Sequence, residues 1–161
     1  MDWQFLQLLL LIITANGAPI MLRFLARNRM IYPVDFGYVF FDNKRLLGNS
    51  KTWRGLIAAI ATTSLFALLL GYSIETGLLI ASGAMSGDLL SSFVKRRLGM
   101  RPSSMAPFLD QIPESLFPAL LVMQAFDLTA LNILYLVSLF VIFELTVSRL
   151  LYEIGIRKRP Y

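Results

Sequence analysis

The chain has 161 residues, 57% hydrophobic and only 16% charged, well under the ~25% charged content of a soluble domain. That balance excludes an ordinary water-soluble globule and leaves an all-α integral membrane protein, one domain over residues 1–161. The absence of cysteine and histidine excludes disulfides and thiolate metal sites, while the net charge of +5 reads as basic loops against anionic lipid rather than nucleic-acid binding.

The first predicted span is "WQFLQLLLLIITANGAPIML", residues 3–22. Asp2 precedes it and no Lys or Arg does, so the positive start of a cleaved signal peptide is missing. Asn16, Gly17 and Pro19 interrupt its far half, a pattern expected where a helix bends around a cavity. A polar loop over 23–54 follows, carrying Arg23, Arg27, Arg29, Lys44, Arg45, Lys51 and Arg54. So long a loop in so small a chain is expected to be functional.

The second span is predicted over 55–72 and the third over 76–95, separated by a short turn with Glu75. Glycines 77, 83 and 87 permit close helix packing, either within one chain or in a homodimer. A second basic loop covers 96–112, a short fourth span 113–126, and a fifth 130–151 before the tail "RKRPY". With five spans in series and the amino terminus outside, both basic loops and the carboxyl terminus face the cytoplasm. The opposite loops, near Glu75 and Asp127, hold acids and no Lys or Arg. This is the positive-inside bias, and it predicts an inner-membrane protein whose polar site faces the cytoplasm.

Asp88 sits inside the third span in "GAMSGDLLSSFVKRR". At 100° per residue Asp88, Ser91, Ser92 and Lys95 share one face, with Arg97 roughly opposite. Asp88 then lies about 10 Å deeper than Lys95. An acid at that depth must face protein, water or a cation, and intramembrane acids are functional by default. The bland reading makes Lys95, Arg96 and Arg97 a headgroup anchor and Asp88 a locally paired structural residue.

"FLDQIPES" places Asp110, Gln111 and Glu114 where the second loop re-enters the membrane. Asp110 is open to a plain reading as a helix-start acid near Pro113. Asp88 and Asp110 flank one loop, so both reach one cavity. With no histidine or cysteine, two carboxylates suit Mg²⁺, which completes its shell with water and substrate phosphates. The third element is "LLGNSKTWRG", residues 46–55. Its turn and cations suit phosphate oxygens, although the spacing is not that of a P-loop. Two acids, a metal and many cations at a membrane surface favour phosphate chemistry on a lipid. The alternatives are a small transporter and a non-catalytic membrane protein that binds anionic lipid.

"GNSKTWRG", "SGDLLSSFVKRRLG" and "LDQIPES" resemble the CDP-archaeol synthase family, which is related to the CDP-diacylglycerol synthases. The resemblance runs from "ANGAP" at 15–19 to "GIRKRPY". It implies transfer of CMP from CTP to a lipid phosphate, with pyrophosphate released and Mg²⁺ required. By motif position it implies Asp88 and Asp110 as metal-binding acids, with Lys51 and Lys95 as catalytic cations beside them. Arg96 and Arg97 would neutralise phosphate charge, and Asn16, Ser50, Thr52, Arg54, Ser92, Gln111 and Glu114 would contact substrate. The chain departs from the family where Ile112 and Pro113 precede the nearest acid, Glu114, and in "FELTVSRLLYEIG", where the family often has His and Asn. Both departures are compatible with a bacterial relative handling a different lipid phosphate.

Overall fold

Five apolar stretches become five helices: α1 (Trp3–Leu25), α2 (Trp53–Leu69), α3 (Ile74–Arg97), α4 (Gln111–Leu121) and α5 (Ala130–Glu153). The computed structural model describes residues 3–25, 32–101, 104 and 106–154. Asp2, Arg27, Arg29 and the "RKRPY" tail lie outside the described residues. Local chemistry sets the starts: Thr52, Ser73 and Thr129 each accept a backbone N–H of the first turn of α2, α3 and α5, satisfying donors that a helix leaves open. α1 continues through Asn16, Gly17 and Pro19 to Leu25, so the interruption expected there does not end the helix. The Asn16 amide instead donates to Ile12 O at 3.0 Å, within its own helix.

Three helices, α1, α3 and α5, are long and apolar enough to cross a membrane. α2 has 17 residues and α4 only 11. Eleven residues rise about 17 Å, roughly half of the ~30 Å hydrocarbon thickness. The fourth apolar stretch is therefore a short helix, extended by turns over 122–127.

α3 is the hub, packing against α1, α2 and α4, while α5 leans on α4 and α1. Phe5, Leu8, Leu11 and Ile12 of α1 close one end of the bundle against Ile80, Val122, Phe126, Leu136 and Phe140. Farther along, the contact thins to Ala15, Ala59, Ala84 and Met85. All three glycines of α3 are used inside the chain. A Cβ at Gly77 would stand 2.5 Å from Ser64 Cα of α2, and one at Gly83 would stand 2.7 Å from Pro118 Cα. One at Gly87 would collide with the Pro113 carbonyl and stand 2.7 Å from Glu114 N. Gly87 adjoins Asp88, so α4 begins at the depth of the buried acid, well below the end of α3.

Gly83→Ala is expected to destabilise the protein by about 1–3 kcal/mol through overpacking against backbone. Gly17→Ala, with nothing within 4 Å of its added carbon, is expected to be neutral or slightly stabilising. Thermal unfolding of the two variants in one detergent checks the contrast, which disappears if α4 is not seated on α3.

Candidate active site

Asp88 is matched by Lys51, which reaches back from the loop before α2 to form an ion pair with Asp88 Oδ1. Both side chains are about one-fifth exposed, 22% and 21%, so the pair opens to solvent at one edge. Burial pulls Lys51 towards the neutral form, but the charge and hydrogen bond of Asp88, then Glu114 and Asp110, outweigh it. The ammonium is held above its ordinary pKa. The Glu114 and Asp88 carboxyl groups meet side chain to side chain, and Glu144 of α5 lies within electrostatic range of Glu114. Carboxyl groups in contact must share a proton or a cation.

Seven residues along α3 from Asp88, Lys95 forms the second pair, 2.6 Å from Asp110 Oδ1. Lys95 also donates to Ser104 O at 3.1 Å, and Arg96 donates to Arg101 O at 2.9 Å. Asp110 Oδ2 accepts Ala106 N–H at 3.0 Å, and Gln111 Oε1 accepts Phe108 N–H at 2.8 Å. Phe108 holds φ +67°, a left-handed conformation unusual for a bulky residue. That bend turns the loop down to the start of α4 and sets Asp110, Gln111 and Glu114 on one short turn. The Gln111 side-chain nitrogen is buried with no hydrogen-bond partner among the described residues, leaving a donor within the cluster.

The structure thus gathers Lys51, Asp88, Lys95, Arg96, Asp110, Gln111 and Glu114, with buried Ser92 on α3 between the two pairs. Ser50 is half-buried in the turn before Lys51, and Thr52 caps α2 through Gly55 N–H. Arg54 is half-buried in the first turn of α2.

Arg97 falls outside this cluster, although motif position grouped it with the phosphate cations. Its guanidinium binds Asp42 at 2.7 Å and the carbonyls of Lys44 and Arg45 at 3.3 and 2.6 Å. Its face lies over Phe40 and Phe93, 4.8 and 5.0 Å from the ring centres. The reason is the helical projection itself, which sends Arg97 away from the Asp88 stripe.

Three acids were missed in the sequence: Asp35, Asp42 and Glu144. Asp35 has a wholly buried side chain, paired with Arg45 at 2.7 Å. It also accepts the N–H groups of Gly37, Leu47 and Gly48. Burial alone would raise its pKa, but Arg45 and the three amides overcome that and hold it well below the usual carboxylate range. The only sequence signal for Asp35 is its place before Phe36 and Gly37, both at positive φ, where an Asx-type turn is favoured.

A family model described as CarS-like CDP-archaeol synthase matches residues 6–75 and 69–161. CDP-archaeol synthases of Hyperthermus butylicus and Staphylothermus marinus are 39% and 28% identical over 106 and 169 aligned residues. The first match covers 62% of this chain and 60% of the relative, the second 99% and 93%. The relatives of Thermofilum pendens and Pyrococcus furiosus are matched over 50% and 53% of their lengths, so the chain spans little more than half of several curated relatives. A solved intramembrane enzyme of archaeal membrane lipid biosynthesis superposes with TM-score 0.74 at 32% identity, covering 88% of this chain and 90% of that one. With both halves matched by the family model and the bundle shared with a solved intramembrane enzyme, the chain belongs to the CDP-archaeol synthase family.

Proposed function

We propose that the protein is a CTP-dependent cytidylyltransferase that transfers CMP to a membrane lipid phosphate. The observation that carries the reading is the pair of ion pairs Lys51–Asp88 and Lys95–Asp110, set seven residues apart along the face of α3 that α4 packs against. A phosphate oxygen of the lipid forms a bond to the α-phosphorus of CTP, and the bond from that phosphorus to the bridging oxygen breaks. Pyrophosphate leaves with the bond electrons. The attacking oxygen is already ionised at neutral pH, so no histidine base is needed. What the reaction demands is alignment and charge neutralisation. Lys51, Lys95 and Arg96 supply the charge, in a partly desolvated site where it acts strongly.

The donor set fits Mg²⁺. Among the described residues no group of three or more acidic side chains forms a metal cage, but Mg²⁺ takes one or two carboxylates and relies on phosphates and water. Asp88 and Glu114, whose carboxyl groups meet each other, are the better pair of oxygen ligands. Asp110, the second acid expected from the sequence, has its oxygens turned to Lys95 and Ala106 N–H. When bound, the cation supplies neutralisation of triphosphate charge. Asn16, Ser50, Thr52, Arg54, Ser92 and Gln111 are proposed as the polar contacts for substrate.

The proposed setting is the inner membrane, with the amino terminus outside and the site open to the cytoplasm, as the distribution of Lys and Arg favours. A pathway across the bilayer finds no support: the end of the bundle around Leu8, Ile80 and Phe140 is a packed apolar plug. A non-catalytic lipid-binding role does not account for two acids held deep beside lysines.

Labelled CTP with purified protein, Mg²⁺ and a panel of ether- and ester-linked lipid phosphates is expected to give a labelled lipid with at least one substrate. Its absence for every lipid, with folded protein, refutes the reading. The lipid that works identifies the chain chemistry. Asp88→Asn is expected to lower turnover by about a hundredfold or more while leaving the protein folded, and full activity would remove Asp88 from the site.

Lys51 gives a pH test. Its folded pKa lies above the ordinary 10.5, so its pairing contributes stability that is fully present below that value and is lost only as pH rises through the folded pKa. The stability difference between the protein and Lys51→Met is therefore expected to be constant from pH 7 to about 10. Differential thermal unfolding across that range checks it.

A further inference from the structure

The loop that delivers Lys51 is gripped at two further places, and neither grip touches the cluster itself. The first is Asp35. Its carboxylate ties Arg45 to the amides of Gly37, Leu47 and Gly48, so one buried group gathers both limbs of the loop. Its neighbour Val34 donates to Lys51 O at 2.8 Å, and Pro33 pairs with Thr52 in an antiparallel bridge. Trp53 N–H donates to Tyr32 O at 3.1 Å. The backbone on both sides of Lys51 is thus pinned to residues 32–34, immediately before Asp35.

The second grip is Arg97. It holds the tip of the loop through Asp42 and the carbonyls of Lys44 and Arg45, while Lys44 Nζ returns a hydrogen bond to Arg97 O at 2.9 Å. Phe40 and Phe93, packed edge to face with their centres 5.6 Å apart, both lie within 5.0 Å of the guanidinium carbon. Arg97 and Asp88 sit on the same helix, nine residues and about 13 Å apart. A single rigid element therefore carries both Lys51's partner and the anchor of Lys51's loop.

We infer that Arg97 and Asp35 are positioning residues for the proposed reaction, fixing the 32–52 loop on α3 so that Lys51 stands at Asp88. This rests on the cytidylyltransferase reading for its consequence in turnover, but not for its geometry. Both residues act through Lys51 and neither contacts substrate. Arg97 needs guanidinium chemistry for this, because a planar fork reaches Asp42 and two carbonyls at once while its carbon stays over the Phe40 and Phe93 rings, which a compact ammonium cannot do.

The experiment is residue-resolved acylation of lysines by a water-soluble amine reagent, read by mass spectrometry, on the full chain in nanodiscs. Arg97→Met, Arg97→Lys and Asp35→Asn are compared with the unaltered protein. Lys51 is expected to label about tenfold faster in each variant, as the loop opens locally, while Lys95 keeps its rate. In the same variants turnover is expected to fall about 10–100-fold, the scale of an ångström-level misplacement. In a Lys51→Ala background the same substitutions should change turnover by less than about twofold, since the effect runs through Lys51.

Unchanged Lys51 labelling in all three variants overturns the inference. Equal acceleration at Lys51 and Lys95 also overturns it, because that reports general loosening of the bundle. Arg97→Lys with full turnover and a protected Lys51 overturns the assignment to Arg97 and returns it to a simple cationic role. Asp42→Ala, at an exposed side chain, removes one Arg97 partner and gives the same reading in milder form if Arg97→Met fails to fold. A protein that turns over no lipid phosphate refutes the proposed function alone, and the labelling arm still reads the two grips.

Discussion

A carboxylate nine residues inside the end of an apolar helix has to find a cation, and much of this molecule is arranged around that requirement. Lys95 and Arg96 on its own helix stand seven and eight residues farther along, about 10 and 12 Å away, and Lys95 is paired with Asp110. The cation comes instead from Lys51, 37 residues earlier. That choice forces the loop after α1 to return over the end of α3. It also forces residue 87 to lack a side chain, since α4 starts against it at the level of the acid. Removing one partner would leave a half-buried charge without its counter-ion, so loop, helix and glycine are tied together.

Much of the site was legible because it obeys helical periodicity. The 100° projection joined Asp88, Ser92 and Lys95 and separated Arg97, and the structure follows it. Motif position assigned Arg97 to phosphate, whereas in the structure its guanidinium binds Asp42 and the carbonyls of Lys44 and Arg45. Lys51 and Asp110 were visible as charged residues at membrane edges, but their partners were not. Lys51–Asp88 and Arg97–Asp42 join residues 37 and 55 positions apart, and no local pattern records such a pairing. Asp35 was hidden for a different reason. An acid in a polar loop reads as solvated, and only its hydrogen bonds to three backbone amides show that it is an interior hub.

The fold was legible in its number of helices but not in the length of the fourth. Hydropathy reports that "LFPALLVMQAF" is apolar, and it does not report where a helix begins in depth. Phe108, at positive φ with its N–H on Gln111, starts α4 beside Asp88. The described residues just before α4 therefore line one side of the candidate site. Irregular backbone at that depth is tolerated where it is buried in protein or lines a cavity. Here Lys95, Arg96 and Asp110 take up its polar groups.

The placement of charge along the two helices has one further physical logic. Lys95, Arg96 and Arg97 occupy the last turn of α3, where the carbonyl end of the helix favours cations. Asp110 and Glu114 stand at the first turn of α4, where exposed amides favour anions. Of the two sets, Lys95 and Asp110 meet as an ion pair, each already favoured by its own helix terminus. Asp88 is the exception, too far from either end to draw on a helix terminus. It alone needs a cation delivered by a separately anchored loop, which is why the two grips at Asp35 and Arg97 bear on Lys51 rather than on Lys95.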